Sequence, residues 1–522
     1  MFTGTVMPKS FDKDDDHVVV VIGSGAGGAT VSRELAMVGI DVVCIEAGSP
    51  VEKIVTDATA MFPRLTWLDR RIGSGDLPAG FPVWSGKGVG GTTLHWTAHT
   101  PRFEAEHFEP SRYFGGLDDC TILDWPVPLE EMARYYSAAE QSMGVSGTHG
   151  WPKLPESNHY RVLKAGAERI GLKHCERSNM AINSVAQGGR PACLQLGFCS
   201  SGCAANAKWT AANTPIAQAL KTDHFELRDR SFVLRVEHDD NGRATSVVYV
   251  DPEGALQRQK ARVVCLAANA IDTPRILLNS ESSAFPNGLA NKSGHVGKHY
   301  IKHVFAIVTA ILPHPVHFHR GTQLLGGVND FMYHDASRGF AGGFKFEQVS
   351  FDPASLAALS RPGAWGKEYA AQLQRYDHYS ALLVLGEDPS QQSNSVTLHP
   401  AEKDQYGMPV PVVHYVDHDN SRRMRDFGVQ KARELYASLG SEEVYLSSPP
   451  PSTHNMGTCR MASNIDDGVC DPWGRSYDVT NLFLSDGSQF TSSGNANPTL
   501  TIVALALRQA GYIKEQMTSR SL

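Results

Sequence analysis

The sequence predicts an α/β protein in which a Rossmann-like nucleotide-binding domain carries an inserted α+β domain built on an antiparallel sheet. Three observations lead to this fold class. The chain has 522 residues, and single hydrophobic cores stop growing near ~250–300 residues. Residues 17–48 have the pattern of strand, glycine turn, helix and strand, whereas residues 305–450 contain short strand-like runs of different composition. We therefore expect at least two domains, one inserted into the other.

Composition and charge exclude several classes of protein. Hydrophobic residues make up 41% of the chain, charged residues 20%, and the formal net charge is -7, which is typical of a globular chain. This mildly acidic balance argues against nucleic acid as the main partner, because phosphate binding needs clustered Lys and Arg. No run approaches the ~18 consecutive apolar residues that a transmembrane helix needs, so we expect no transmembrane segment.

The start of the chain is polar and acidic, and we expect residues 1–16 to form a flexible tail. This segment lacks the basic flank and apolar run of a secretory signal. The sequence alone therefore indicates a cytoplasmic location, unless the chain is exported to the periplasm with a signal-bearing partner.

The unit at residues 17–48 carries a nucleotide-binding fingerprint. Gly23, Gly25 and Gly28 form GxGxxG directly after the first predicted strand, where bare backbone lets a pyrophosphate approach the N-terminus of the next helix. Glu46 ends the second strand and is placed to hold ribose hydroxyls. This order of elements predicts dinucleotide binding, and a glycine-rich turn of some other α/β protein is the alternative.

The remaining elements follow in order along the chain. The predicted elements are helices at 129–143 and 160–171, alternating strands at 225–270, a helical stretch at 356–376 and a strand near 480 that ends in Asp486. Leu500 to Leu507 are apolar all round, which predicts a buried helix. Asn497 and Pro498 form a suitable N-cap and first turn for it.

Seven motifs occur in the order seen in the glucose-methanol-choline (GMC) family of flavin oxidoreductases. Besides the fingerprint at 23–28, they are GVGGTTLHW at 88–96, ANAIDTPRILL at 268–278, VGKHYIKH at 296–303, SNSVTL at 393–398 with DQYGMPVP at 404–411, HNMGTCRM at 454–461, and NLFLSDGSQF with NANPTLTI at 481–502. The chain resembles this family over nearly its whole length. It is most similar to the large subunits of bacterial FAD-dependent sugar and gluconate dehydrogenases.

The resemblance implies FAD as the tight cofactor. It places the three fingerprint glycines at the pyrophosphate and Glu46 on the adenosine ribose. The other implied cofactor residues are Gly90, Gly91, Thr92 and Thr93 beside the flavin, Val233 near the adenine, Asp486 on the ribityl or pyrophosphate side, and Pro498 and Thr499 at the start of the last helix. The implied domains are an FAD-binding domain at 17–304 plus 451–522, which includes the cysteine segment 191–210, and a substrate-binding domain at 305–450.

Two residues match the catalytic positions of the family. Removal of a hydride from an alcohol carbon needs a base near neutral pKa beside the hydroxyl, and histidine meets this demand. His454 matches the family's base, and Asn497 matches the partner that would hold the substrate oxygen. Without the family context, His454 would be interpreted as a structural histidine and Asn497 as a helix cap. We expect His303 to be structural, and His95 and Trp96 to line the site.

Cys193, Cys199 and Cys203 form a C-x5-C-x3-C segment. Compact, glycine-bearing loops supply thiolates to iron–sulfur clusters, and three thiolates suit a three-iron four-sulfur cluster. Sugar dehydrogenases of the resembled type have cysteines at this spacing. Leu196 stands where some relatives have a further cysteine, so buried free thiols are the alternative interpretation. Zinc is disfavoured because a fourth ligand is lacking.

The sequence thus predicts an FAD-dependent dehydrogenase that oxidises a CH–OH group of a sugar, glycoside or polyol. Its electrons would leave through the iron–sulfur cluster to a partner protein, a cytochrome or a quinone. The resemblance also implies a small signal-bearing subunit. Two alternatives stay open: an oxidase that reduces oxygen and has structural cysteines, and a flavin-containing lyase.

Overall fold

The computed structural model describes residues 9–360, 363–447 and 451–522. Its strands are Val19–Ile22 (β1), Val42–Ile45 (β2), Ile72–Gly75 (β3), Cys175–Arg177 (β4), Phe225–Arg228 (β5), Phe232–His238 (β6), Ala244–Val250 (β7), Leu256–Lys260 (β8), Val263–Leu266 (β9), Val304–Ile311 (β10), Gly326–Val328 (β11), Phe344–Val349 (β12), Tyr379–Gly386 (β13), Ser395–Lys403 (β14), Pro409–Tyr415 (β15), Glu443–Leu446 (β16) and Leu482–Leu484 (β17). Its helices are Ala26–Ala36 (α1), Ala58–Leu65 (α2), Ala105–Phe108 (α3), Pro110–Phe114 (α4), Leu129–Met143 (α5), Asn158–Arg169 (α6), Ala217–Ala219 (α7), Asn269–Leu278 (α8), Pro353–Ser360 (α9), Lys367–Gln374 (α10), Asp419–Ser438 (α11) and Thr499–Thr518 (α12).

The first sheet is parallel and has the strand order β17–β9–β1–β2–β5. β1, β2 and β9 read VVVI, VVCI and VVCL and are buried throughout, as expected of strands that are covered on both faces. α1 follows β1 directly and packs against α12. The predicted unit of strand, glycine turn, helix and strand is therefore confirmed.

The second large sheet is antiparallel, with the strand order β16–β10–β13–β12–β11–β4. Ile307 on β10 pairs with Leu383 on β13, which pairs with Glu347 on β12. Directly paired residues share a face of the sheet. The opposite face carries Val308, Leu382 and other core residues that pack on α6 and α11. The face with Ile307 therefore points toward the first sheet.

Two smaller sheets complete the fold. β6, β7 and β8 form an antiparallel meander, with the predicted hairpin between β6 and β7. β14 and β15 form a hairpin that pairs in parallel with β3. A parallel sheet with separate antiparallel sheets confirms the predicted fold class. No helix in the described ranges is long and apolar enough to cross a membrane.

Two predicted segments differ from the structure. The stretch 356–376 is not one helix, because α9 and α10 are separated by Gly363 and Gly366, which both have positive φ; residues 361–362 of the prediction lie outside the described ranges. Residues 1–8 of the predicted tail also lie outside them. Phe11, inside that tail, is buried and donates its N–H to Glu226 at 2.7 Å, so this part of the tail is docked.

Candidate active site

A cavity of about 990 Å³ lies between the two large sheets. Its first side is formed where parallel strands end, by Gly23 after β1, Glu46 after β2 and Asp486 after β17. Its second side includes Phe305 and Ile307 of β10. The carboxyl ends of the strands are the usual binding edge of an open α/β sheet, so this cavity is the candidate active site.

The glycine turn after β1 forms one end of the cavity. Gly23 has a φ of +99°, and a Cβ there would lie 2.4 Å from the carbonyl oxygen of Ala267, so only glycine fits. Gly25 precedes α1, and a Cβ on it would meet no described atom within 4 Å. The N–H groups at the start of this 11-residue helix therefore have room for an anion. Gly28 lies behind the turn, where a Cβ would come within 2.0 Å of the Gly23 oxygen, and it serves helix–strand packing.

Glu46 connects this turn to the next one. Its carboxylate accepts hydrogen bonds from Ser24 N at 3.0 Å, Ser24 Oγ at 2.7 Å and Gly48 N at 2.8 Å. Burial raises the pKa of this carboxyl group. The Ser24 hydroxyl accepts in turn a hydrogen bond from Gly90 N at 3.0 Å. Glu46 therefore holds Ser24, and the Ser24 side chain links the two glycine turns.

The second glycine turn brings part of its predicted residues to the cavity. Gly91 and Thr92 line the cavity, in a 3₁₀ turn over Gly91–Leu94. Gly90 and Thr93 brace the turn from behind, since Thr93 Oγ1 donates to the Gly90 carbonyl and accepts from Ala211 N at 2.9 Å. The four residues predicted beside the flavin thus divide into two that face the cavity and two that support them.

The other predicted cofactor residues converge on the same cavity. Asp486, Val233, Pro498 and Thr499 all line it. Asp486 accepts a hydrogen bond from Thr273 Oγ1 at 2.6 Å, and burial raises its pKa. Together with the two glycine turns, they bring distant parts of the chain around one space.

His454, the predicted base, lines the cavity beside a second histidine. His454 Nδ1 lies 2.7 Å from His303 Nδ1, and His303 Nε2 lies 3.1 Å from the carbonyl oxygen of Ser493. A carbonyl only accepts, so neutral His303 carries its proton on Nε2, and its Nδ1 is an acceptor. His454 then donates through Nδ1, which leaves the lone pair on its own Nε2. His303, expected to be only structural, therefore sets the tautomer of His454.

Both histidines are neutral at neutral pH, as this argument requires. Burial lowers the pKa of His454 to about 4. Burial, with the neighbouring His454 as the next cause, lowers the pKa of His303 well below its usual value. His454 is thus held in the form that accepts a proton.

Asn497 also lines the cavity, but it does not cap the last helix as predicted. α12 begins at Thr499 without a side-chain cap. Instead, Asn497 Oδ1 accepts a hydrogen bond from Lys345 Nζ at 3.3 Å. Lys345 Nζ lies 2.9 Å from Glu347 Oε1, and His99 Nδ1 lies 2.9 Å from the same oxygen. The cap prediction is wrong because the tertiary structure supplies Asn497 with a stronger donor, a buried ammonium group.

The cluster of Lys345, Glu347 and His99 is missing from the sequence-based predictions. Against burial, which would raise it, Lys345 and His99 hold the pKa of Glu347 below its usual value. Burial lowers the pKa of His99. The sequence did contain a signal: β12 reads FKFEQV, and charged residues two positions apart in a buried strand share one face and need partners there.

His95 and Trp96 line the cavity, as expected. The His95 ring stacks on Trp84 with 4.9 Å between ring centroids. Trp96 Nε1 donates to the Trp209 carbonyl at 3.0 Å. Both rings are therefore held in place by neighbours of their own.

The predicted cluster cysteines are neighbours: burial raises the pKa of the Cys193 thiol to about 11, and nearby Cys199 and Cys203 also raise it. Cys193, Cys199 and Cys203 are free thiols. In the part of the chain that the structure describes, no group of three or more His, Cys, Asp or Glu side chains could hold a metal ion. Lys208 Nζ donates to the Cys199 carbonyl at 2.6 Å and to the Trp96 carbonyl at 2.9 Å, which ties this loop to the second glycine turn. The three-iron four-sulfur cluster therefore stays a prediction.

The fold and the cavity define a class of protein: one that binds a dinucleotide along the carboxyl edge of a parallel sheet. Two family models, both described as GMC oxidoreductase, match residues 19–305 and 389–506. The chain therefore belongs to the GMC oxidoreductase family, and FAD is its cofactor.

Relatives with assigned activities match the chain over almost its full length. It is 33% identical to a 2-methyl-1,2-propanediol dehydrogenase of Mycolicibacterium austroafricanum, over 98% of this chain and 97% of the relative. It is 29% identical to a paromamine 6'-oxidase of Streptomyces fradiae, over 97% and 93%. It is 26% identical to a fructose dehydrogenase large subunit of Gluconobacter japonicus, over 95% and 97%.

Solved structures share the fold at low sequence identity. Pyridoxine 4-oxidase from Mesorbium loti aligns with a TM-score of 0.67 at 18% identity, over 95% of this chain and 99% of that one. Formate oxidase from Aspergillus oryzae RIB40 aligns with a TM-score of 0.70 at 15% identity, over 98% and 100%. This likeness supports the architecture described above.

Proposed function

We propose that this protein oxidises a CH–OH group of an alcohol, polyol or sugar-like substrate. The observation that carries the proposal is the hydrogen-bonded series from the Ser493 carbonyl through His303 to His454, which faces the same cavity as Asn497. FAD, when bound, supplies the hydride acceptor. The protein's own part is to bind the cofactor and the alcohol, and to remove the hydroxyl proton.

The residues of the first sheet fit the cofactor. The bare start of α1 after Gly25 would take the pyrophosphate, and Glu46 at the end of β2 would face a ribose. Gly91 and Thr92 would lie beside the flavin. A cavity of about 990 Å³ that is continuous from these residues to His454 supports binding of a dinucleotide with a substrate next to it.

His454 would take the hydroxyl proton on Nε2. Its Nδ1 is engaged with His303, so Nε2 is the nitrogen that carries the lone pair. A positioned base of this kind typically contributes ~10²–10⁴-fold to a rate. Removing the proton makes departure of the hydride from the same carbon feasible.

Asn497 would hold the substrate oxygen. Lys345 has only donors, so the Asn497 atom that faces it is the acceptor Oδ1. The amide nitrogen is then left to donate toward the cavity. A donor at this position stabilises the negative charge that develops on the oxygen as His454 takes its proton.

Flavin reduction tests this proposal directly. FAD-loaded protein is mixed without air with a panel of alcohols, polyols and sugars, and flavin absorbance is followed. We expect bleaching with at least one CH–OH donor, at a rate that falls in His454→Ala. A flavin that stays oxidised with every donor, in a protein that cleaves a substrate without net redox change, would instead support the lyase alternative.

The electron acceptor is a separate part of the proposal. We propose that electrons leave to an external acceptor or a partner subunit, because relatives include a fructose dehydrogenase large subunit. Iron and acid-labile sulfide per flavin, measured in protein purified without air, test whether Cys193, Cys199 and Cys203 take part. About three irons per flavin would support the cluster, no iron with flavin fully loaded would make the thiols structural, and rapid oxygen consumption would favour the oxidase.

A further inference from the structure

The face of the six-stranded sheet that turns toward the cavity is mainly apolar. Ile307 and Leu383 lie side by side on paired strands and line the cavity, and both are buried. Phe305, two residues before Ile307, and Val349, two residues after Glu347, lie on the same face and also line it. These four side chains form what we call the apolar wall.

The wall is next to the proposed reaction centre. His303, which contacts His454 at 2.7 Å, immediately precedes β10 and lies two residues before Phe305. Leu383 pairs directly with Glu347, the residue that contacts His99. A substrate whose hydroxyl lies between His454 and Asn497 therefore places its remaining atoms against this wall.

The charged residues on this face have partners already. Lys345 is bonded to Glu347 and to Asn497, and Glu347 also lies 2.9 Å from His99. These side chains point to the same face as the wall, but they are used to build the reaction centre. They offer no separate site for the hydroxyl groups of a substrate.

The polar groups beyond the wall are also bonded within the chain. Gln323 Nε2 donates to the Ser350 carbonyl at 3.3 Å, and Gln323 Oε1 accepts from Ser200 N. Asp352 accepts from the backbone N–H groups of Ala354 and Ser355, each at 3.1 Å, and from the Ser355 hydroxyl. These groups line the cavity or cap α9, and their hydrogen-bonding capacity is largely used.

A second group of charges lies at another side of the cavity. Lys302, Asp417 and Arg425 line it and pair with one another: Asp417 lies 3.8 Å from Lys302 Nζ and accepts a hydrogen bond from Arg425. Lys302 Nζ also lies 4.2 Å from the centre of the Tyr415 ring. None of these three residues belongs to the wall, so they supply no polar partner along the wall itself.

We infer that the substrate is an alcohol whose reacting carbon bears a compact apolar group, a branched or cyclic hydrocarbon or an aromatic ring, rather than a free sugar. The inference rests on the proposed CH–OH oxidation. Each hydroxyl of a sugar pressed against the wall would lose its water without gaining a partner. A hydrocarbon group of the same size would gain contact with Phe305, Ile307, Val349 and Leu383.

Matched donors test this inference in the FAD-loaded protein. Anaerobic flavin reduction is measured with cyclohexylmethanol and benzyl alcohol on one side, and with D-glucose and D-fructose on the other. We expect kcat/KM for the apolar alcohols to exceed that for the sugars by ~10²-fold or more, because several sugar hydroxyls would lose water without gaining a partner. Faster reduction by the sugars would overturn the inference and leave the proposed function standing. No reduction by either apolar alcohol would likewise overturn the inference, whereas the proposed function fails only if the whole panel of CH–OH donors leaves the flavin oxidised.

A variant in the wall separates binding from folding. Leu383→Asn keeps the size of the side chain but introduces unpaired polar atoms, and should lower kcat/KM for cyclohexylmethanol by ~10-fold or more relative to glucose. FAD content and the rate with a very small alcohol report whether the protein is folded. Leu256→Asn is the matched control, because Leu256 is 62% exposed on β8. An unchanged preference in Leu383→Asn, with FAD still bound, would contradict the inference.

Discussion

His303 Nδ1 lies 2.7 Å from His454 Nδ1, while the other nitrogen of His303 faces the Ser493 carbonyl. A backbone carbonyl, which cannot change its role, thereby fixes the proton positions on two histidines in turn. The result is a His454 ring with its lone pair on Nε2. This relationship leads to the first two predictions.

Replacing His454 by Ala should keep FAD bound and lower turnover by ~10²–10⁴-fold, the range expected for loss of a positioned base. The measurements are the flavin content of the purified variant and its rate of anaerobic flavin reduction. Loss of FAD, with a normal rate per remaining flavin, would show that His454 holds the structure and does not take a proton.

Replacing His303 should affect the rate through His454. In His303→Leu, nothing accepts from His454 Nδ1, so the ring can take either tautomer, and we expect kcat to fall by ~10-fold or more with little change in KM. His303→Asn offers an amide oxygen to the same N–H and should recover part of the rate. Equal rates in the Leu and Asn variants would mean that His303 is structural only.

Substitutions in the cluster of Lys345, Glu347 and His99 should affect stability and activity differently. Lys345→Met leaves the buried Glu347 without its ammonium partner, which should cost ~3–5 kcal/mol of unfolding free energy. The double variant Lys345→Met/Glu347→Met should recover most of that stability. Its activity should stay low, because Asn497 loses the ammonium donor that holds its amide oxygen.

Denaturant unfolding and anaerobic flavin reduction are the two measurements for this pair of variants. A double variant that regains both stability and activity would show that Lys345 does not orient Asn497. The coupling energy from the full cycle of single and double variants isolates the Lys345–Glu347 pair.

Acid should destabilise this protein through its buried histidines. Burial lowers the pKa of His454 to about 4 and those of His95, His107 and His159 to about 3. The unfolded chain binds protons near pH 6.5, whereas the folded chain does not, so stability rises with pH between about 3 and 6.5. The unfolding free energy should therefore fall as the pH drops from 6.5 toward 4, measured by denaturant titration at each pH.

Activity should persist to lower pH than an ordinary histidine base would allow. His454 is in its proton-accepting form above its pKa of about 4, so the acid limb of kcat/KM should lie well below pH 6.5. The profile is measured over the range where circular dichroism shows a folded chain. An acid limb at pH 6.5 would mean that another group controls the reaction.

Contiguous patterns explain why much of the fold is predictable from sequence. Three examples are the β1–α1–β2 unit, helix α5 and the buried face of α12. Each depends on residues that are close together in the chain, and hydrophobic periodicity predicts such local structure. The two glycine turns are equally local. Gly23 and Gly90 both have positive φ, which glycine adopts without strain. The cap at Asn497 was predicted incorrectly because it depended on Lys345, a donor from a distant part of the chain.

The sequence by itself determined the family, the first glycine turn and two residues that line the cavity, His454 and Asn497, because each belongs to a short motif. Only the tertiary structure decided which groups control them. His303 and His454 are 151 residues apart, and Lys345 and Asn497 are 152 residues apart. Strand register and side-chain direction set these contacts, and neither is encoded in a local pattern of residues.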